Sequence, residues 1–464
     1  MTPATSKCRT GWGCAPSTSP PNPTRRTISI TIPTIWAGSW HGFRDGRIGT
    51  GCRFDRGRAA AYICPMTETV DIFISGGGIA GLTAAAAFGQ AGFSVCLADP
   101  APPITDAEIA GADLRTTAFL QPAQAFLDRA GLWDGLAPHA APLQIMRIVD
   151  AGGETTEPRV SHDFDAADIS EKPFGWNLPN WLIRRQVMAH LATLPNVDLR
   201  AGVGTAGLLT RTHEARVRLS DGAGLRAKLV IGADGRGSPV RDAAGIGVRT
   251  FRYGQKALVF AVTHPIPHDN VSTEIHRSGG PFTLVPLPDQ AGRPASAVVW
   301  MERGPEAARL MDLAEDAFEA EMSERSGHLF GPLKLASRRV AWPIISQLAE
   351  RMEAERIALV AEAAHVVPPI GAQGLNMSLA DLRVLLDLAE ANRADPGMRD
   401  VLTRYQRARH AEVTARVMGV DALNRASMAE AQSLRDLRMQ ALTALYAVAP
   451  VRRVLMRAGL GATG

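Results

Sequence analysis

The sequence predicts an α/β fold in which a β–α–β unit adjoins a mixed β-sheet and a helical C-terminal region. Three observations predict it. Val70–Asp99 runs strand, glycine turn, helix, strand. Two later apolar strands break into small-residue turns at Gly232 and Ala361, and residues 251–303 alternate like strands of a sheet. At 464 residues the chain can hold two or three compact units, each with its own core.

The first segment is unlike the rest. Residues 1–65 carry nine basic residues against Asp45 and Asp55, so the remainder holds −3 of a total net charge of +4. That balance excludes nucleic acid as the partner of the folded part. Cys8, Cys14, Cys52 and Cys64 also fall here and leave Cys96 alone, which rules out a disulfide framework and suits a reducing, cytoplasmic setting. With STSPPNPT and little periodicity, residues 1–65 are expected to be a non-native or disordered extension upstream of a start at Met66. Two other readings stay open. TRRTISITIPTIWAG resembles a twin-arginine export signal interrupted by Pro33, and the Arg-rich composition fits an organelle transit peptide. No apolar run reaches the roughly 18 residues needed to span a bilayer.

The next segment, VDIFISGGGIAGLTAAAAFGQAGFSVCLAD, is a dinucleotide cradle with Rossmann-like spacing. Gly76 permits the tight turn, Gly78 lets backbone approach a pyrophosphate, and Gly81 lets helix and strand pack closely. The helix N-terminus favours phosphate charge, and Asp99 closes the second strand where a carboxylate can accept ribose hydroxyls. The motif alone does not separate NAD from FAD.

RAKLVIGADGRGSPVR ends a third strand in Asp234-Gly235, with Ser238 as an N-cap and Pro239 in the first turn of a short helix. An acid at a strand's carboxyl end lies where open α/β sheets bind ligands. RIALVAEAAHVVPPIGAQGLNMSLAD follows the same plan. A strand delivers Glu362, Pro368-Pro369 breaks the chain, and Gly371 and Gly374 withdraw side chains before a helix through Leu379, Leu382 and Leu386.

These segments together resemble the flavin-dependent aromatic hydroxylases, the single-component flavoprotein monooxygenases. GADGRGSPVR is similar to that family's Asp-Gly motif, which approaches the FAD pyrophosphate and is implicated in NAD(P)H binding. The resemblance implies contacts from Asp234, with Arg241 in support. AEAAHVVPPIGAQGLN is similar to its third fingerprint, usually Gly-Asp or Gly-Asn, then Ala-Ala-His, Pro and Gly-Gln-Gly-x-Asn. Glu362 is then expected at the ribityl hydroxyls, with amides near Gly374 and Asn376 stabilising negative charge on a reduced flavin. Here Ala361-Glu362 replaces Gly-Asp, which calls for a small backbone shift. His365 is read as ordering the loop rather than as a catalytic base. Arg115, just before the helix after the second strand, is expected at the FAD phosphate or ribityl. One residue at the start of the WLIRRQVMAHL helix, taken as Arg184 ahead of Arg185 and Gln186, is expected to join it.

The implied architecture is a Rossmann-like FAD-binding domain of the aromatic-hydroxylase type over 66–140, 175–245 and 350–390. A mixed-sheet substrate domain spans 141–174 and 246–349, and C-terminal helices occupy 391–464. Tyr253-Gly254-Gln255 and Gly280-Pro281 through Pro286-Leu287 resemble the ubiquinone-biosynthesis branch, whose members oxidise polyprenylated phenols. The expected reaction hydroxylates an aromatic or lipid substrate with NAD(P)H as transient co-substrate and O2, through a C4a-hydroperoxyflavin. No catalytic side chain and no metal set is assigned. Rival readings are a halogenase, disfavoured because Trp176 lacks a second Trp two residues on, a prenyl reductase, and a catalytically silent flavin- or lipid-binding subunit. A complex with other quinone-biosynthesis enzymes is a further implication. Ser433–Gly461 interleaves apolar residues with Arg, fitting either a surface lying on the inner face of the membrane or a helix docked on the core.

Overall fold

The computed structural model describes residues 68–153 and 157–460; the expectations for residues 1–65 lie outside them. The chain opens with β1 (Glu68–Ser75), α1 (Ile79–Gln90) and β2 (Val95–Asp99). Then come β3 (Thr116–Leu120), α2 (Gln121–Arg129), the single turn α3 (Trp133–Leu136) and β4 (Ala141–Leu143). β5 (Ile145–Asp150) pairs antiparallel with β6 (Val160–Asp165), and β7 (Gly175–Pro179) leads into α4 (Asn180–Leu191). β8 (Val197–Ala201), β9 (Thr205–Thr210), β10 (Ala215–Leu219) and β11 (Gly224–Gly232) end at α5 (Pro239–Ala243).

Four strands follow, β12 (Val248–Thr263), β13 (Val271–His276), β14 (Pro281–Gln290) and β15 (Arg293–Arg303); the last three form a meander that returns β15 to the side of β12. α6 (Gly304–Asp312) and α7 (Glu315–Arg325) cover it. Five strands come next, the long β17 (Val340–Ala349) and four short ones: β16 (Lys334–Leu335), β18 (Glu353–Ala354), β19 (Ile357–Leu359) and β20 (His365–Val366). The chain closes with α8 (Gln373–Glu390), α9 (Arg399–Ser427), α10 (Gln432–Ala447) and α11 (Ala449–Leu460).

The first sheet runs β18-β19-β11-β1-β2-β8, with β10 and β9 attached beside β11. Its centre is parallel, and β1 is apolar without alternation from Ile72 to Ile74 because both its faces are covered. Register decides what this sheet can do. Ser75 lies opposite Gly232, and Gly232 opposite Leu359, so β1, β11 and β19 end level and their loops emerge side by side.

The second sheet runs β20-β17-β12-β15-β14-β13-β5-β6 and is mixed, since β13 and β5 pair in parallel. One face carries Leu258, Phe260, Val298 and Trp300, which pack under Leu310, Phe318 and Met322 of α6 and α7. β20, directly after the Glu362 turn, hydrogen-bonds to β17 and so belongs to this sheet. A third sheet, β3-β7-β4, was not foreseen; its strands are three to five residues long and carry little periodic signal. Among the described residues no helix is long and apolar enough to cross a membrane.

Gly81 is fixed by contact rather than by its torsion. A Cβ there would stand 1.9 Å from the Gly76 carbonyl oxygen, a backbone atom that cannot turn aside. Gly81→Ala should therefore lower the unfolding free energy by about 1–3 kcal/mol, as overpacking does, read from urea denaturation of the cofactor-free protein.

Candidate active site

Three loops meet where β1, β11 and β19 end. In the first, Gly76 has φ 108° and turns the chain against Ala233 of the second loop. The Asp99 carboxylate is held in place by backbone amides, accepting from Gly77 at 2.5 Å and Ala101 at 2.7 Å. In the second, Oδ2 of Asp234 accepts from the Ser75 hydroxyl and the Val240 amide, both at 3.1 Å. Burial pushes the Asp234 pKa up against those hydrogen bonds. Its Oδ1 is buried with no donor among the described residues. Ser238 caps α5 as its sequence predicts, accepting from the Arg241 amide at 3.0 Å.

Arg241 ties the second loop to the third. Its guanidinium is buried and donates to the carbonyls of Arg236 (2.9 Å) and Ala363 (3.1 Å). In the third loop Ala361 takes φ 55°, the left-handed conformation that favours glycine and costs other residues about 1–2 kcal/mol. The shift expected for Ala361-Glu362 is thus a strained turn. The Glu362 carboxylate meets Arg236 at 3.0 and 3.4 Å and remains half-exposed.

The flanking cations gather around Asp113. Arg115 donates to it twice at 2.8 Å, and its guanidinium also stacks 4.7 Å from the Trp342 ring. β3 intervenes between Arg115 and α2, so Arg115 does not directly precede a helix. Burial alone would raise the Asp113 pKa, but Arg115, Asn180 and Arg184 outweigh it and hold it below the usual carboxylate range. Arg184 stands 3.5 Å from Asp113, and burial pulls its own pKa down against the fields of Asp113 and Asp99. Its neighbours face elsewhere: Arg185 over Trp181, Gln186 beside His139. Of the three, Arg184 is the one that faces the Asp113 cluster.

The start of α8 follows the left-handed pair Gly371 (φ 62°) and Ala372 (φ 55°), and its first-turn amides at Gln373, Gly374 and Leu375 have no intrahelical acceptor. The Asn376 side chain is committed to the protein: it accepts from the Leu120 amide and donates to the carbonyls of Ala118 and Ala372. His365 donates to Asp381 at 2.6 Å, and Arg409 donates to the other oxygen at 2.8 Å. All three are buried, so this network joins the loop to α8 and α9.

The second sheet turns its other face toward this loop, and Val420 of α9 packs on it as well. Ala257, Val299 and Met301 share that face by register, and Val367 and Ile370 pack on them. Tyr253 packs there too. Burial pushes its phenol to about 12, and its hydroxyl donates to Asp421 of α9. Gln255 donates to the Gly279 carbonyl and accepts from Asn424, so the Tyr253-Gly254-Gln255 motif bolts the sheet to α9 and to the Gly279-Gly280 turn.

The fit to a flavin dinucleotide can be tested glycine by glycine. Cβ atoms at Gly76 and Gly81 would strike backbone within 3 Å, so those glycines serve the fold. Cβ atoms at Gly78, Gly237 and Gly374 meet nothing within 4 Å. The fold itself does not require glycine at these three positions, and the bare backbone leaves room for a ligand to lie on it. With the unpartnered Asp234 oxygen and the cations at 115 and 184, the donor set fits a pyrophosphate and a polyhydroxyl chain.

Comparisons with known proteins agree. The family described as FAD binding domain matches residues 69–420. The ubiquinone hydroxylase UbiL of Rhodospirillum rubrum is 34% identical over 398 residues, covering 85% of this chain and 90% of that protein. The 3-demethoxyubiquinol 3-hydroxylase of Escherichia coli is 28% identical, covering 85% and 99%. Among solved structures, p-nitrophenol 4-monooxygenase PnpA of Pseudomonas putida shares the fold at TM-score 0.70 and 20% identity, over 86% of this chain and all of that one.

Two outcomes follow from the geometry. Gly78→Val should leave the melting temperature of the cofactor-free protein unchanged within about 2 °C, since surface changes stay near ±0.5 kcal/mol, yet abolish FAD uptake in a fluorescence titration. Asp381→Ala strips the His365 imidazole of its carboxylate and leaves the buried Arg409 guanidinium with Glu412 alone, and should cost about 3–5 kcal/mol by denaturant titration.

Proposed function

The chain belongs to the FAD-binding-domain family and is an FAD-dependent aromatic monooxygenase, and from that premise we propose that it hydroxylates the ring of a polyprenylated phenol in ubiquinone biosynthesis. The observation that carries the reading is the meeting of two surfaces. A glycine-walled cradle adjoins an apolar sheet face, and Val367 and Ile370 sit between them. The named activities of the bacterial relatives supply the substrate class.

In this proposal the amides beside Gly76 and Gly78 hold the FAD pyrophosphate, with Arg115 and Arg184 neutralising it. Asp99 takes the ribose, Asp234 and Glu362 take hydroxyls of the dinucleotide, and the α8 amides at Gly374 and Leu375 face the ring system. Bound FAD supplies reduction by NAD(P)H and activation of O2. The protein's part is placement. Val299 and Val367, partly accessible above the buried Ala257 and Met301, present a wall without charge that orients the phenol and excludes water, while Asp381 and Arg241 keep the loops from moving apart. No side chain is asked to act as nucleophile.

A substrate with a polyprenyl tail lives in the bilayer, so the same reading puts the enzyme in the cytoplasm, at the inner face of the membrane, in contact with other quinone-biosynthesis enzymes. The purified holoenzyme should oxidise NAD(P)H slowly alone and faster with a prenylated phenol, and should transfer one atom of isotopically labelled O2 to the ring. A short prenyl tail should raise kcat/KM about tenfold or more over the bare phenol, given roughly 0.8 kcal/mol for each buried methylene. Unlabelled product, or oxidation indifferent to the phenol, would sink the proposal.

A further inference from the structure

α10 and α11 are amphipathic in an unusual way. α10 docks on the second sheet by one side: Asp436 accepts from Arg159, and Tyr446 stacks on His162 at 4.2 Å and meets Phe164 edge-on. Arg438 reaches round to the buried Asp150 at 3.0 Å. The outward side is apolar as well. Leu434, Leu437 and Leu445 lie along one stripe of α10, and Val451, Val454 and Leu455 along one stripe of α11, all between 39% and 63% exposed. An outward helix face is ordinarily polar, and single exposed aliphatics need no explanation, but two consecutive stripes do.

Charge identifies the occupant. α11 carries Arg452, Arg453 and Arg457 and no acid, and the one acid of α10, Asp436, is already paired with Arg159. Arg452 turns inward to Asp168, while Arg453 and Arg457 are exposed beside the stripe. A second copy brought face to face would set like charges against each other with no carboxylate between them. An anionic lipid surface offers both an apolar layer for the aliphatics and negative headgroups for the arginines. We infer that the outward stripe of α10 and α11 is a docking surface for an anionic phospholipid bilayer. This rests on the lipid-borne substrate proposed above. It places the bilayer beside the sheet, because the inner side of α10 closes over Phe164, which by strand pairing lies on the same sheet face as Val299 and the loop around Ile370.

The test uses the holoenzyme, sedimented with phosphatidylcholine vesicles with and without phosphatidylglycerol. Wild type should bind the anionic vesicles. Combined Arg453→Gln and Arg457→Gln should weaken that binding about 30-fold, as the loss of two basic residues near the surface predicts. Combined Leu437→Gln, Leu445→Gln and Leu455→Gln should abolish it. Both variants should keep wild-type NAD(P)H oxidation with a water-soluble phenol, which shows that they fold. No binding by wild type, binding unchanged in both variants, or a stripe occupied by a second copy (self-association in sedimentation velocity that the leucine changes abolish, without vesicle binding) would overturn the inference. Vesicle binding by an enzyme that ignores prenylated phenols would leave the docking surface standing and sink the proposed reaction instead.

Discussion

The level ending of three parallel strands governs this molecule. Ser75, Gly232 and Leu359 stand in one row across β1, β11 and β19, so three loops far apart in sequence leave the sheet at the same height. A slip of one strand by a residue would point its side chains to the other face and lift its loop out of the row. The register is held by a core buried on both sides, with Ile72, Phe73, Ile74, Leu229, Val230 and Ile231 fully covered. Apolar burial that carries no chemistry of its own thus determines where the chemistry takes place.

Above that row the loops are joined by charge. Arg241 links the second loop to the third, Arg236 and Glu362 link them again nearer solvent, and Asp381 links the third to α8 and α9. The buried links count for more than the exposed one, since a half-exposed pair contributes at most about 1 kcal/mol while breaking a buried one leaves a charge without solvent. The left-handed Ala361 is tolerated inside this frame because the residues on either side are fixed by contacts elsewhere.

The features legible in the sequence were those whose cause is local. The glycine spacing from 76 to 81, the Ser238 cap and the α8 periodicity each declare themselves within a few residues. What sequence could not give were partners distant in the chain. Nothing near Arg115 announces Trp342, nothing near Glu362 announces Arg236, and the side chain of Asn376 looks free until β3 is laid beside it. The fingerprint asparagine lies at the expected place, but its amide serves the strand edge. The tail shows the same limit: its apolar residues repeat at helical spacing on more than one side, and only Asp150, Arg159 and His162 reveal which side is turned inward.

One pairing has an evolutionary corollary. Gln347 and Leu348 of β17 lie opposite Val366 and His365, so the fingerprint loop is stitched into the neighbouring sheet as its edge strand. The two halves are therefore not interchangeable modules. A foreign sheet brought in by recombination would have to offer a partner for the short strand at 365–366 or leave the seam beside the flavin loop unpaired, whereas side-chain changes on the inherited sheet leave that seam intact.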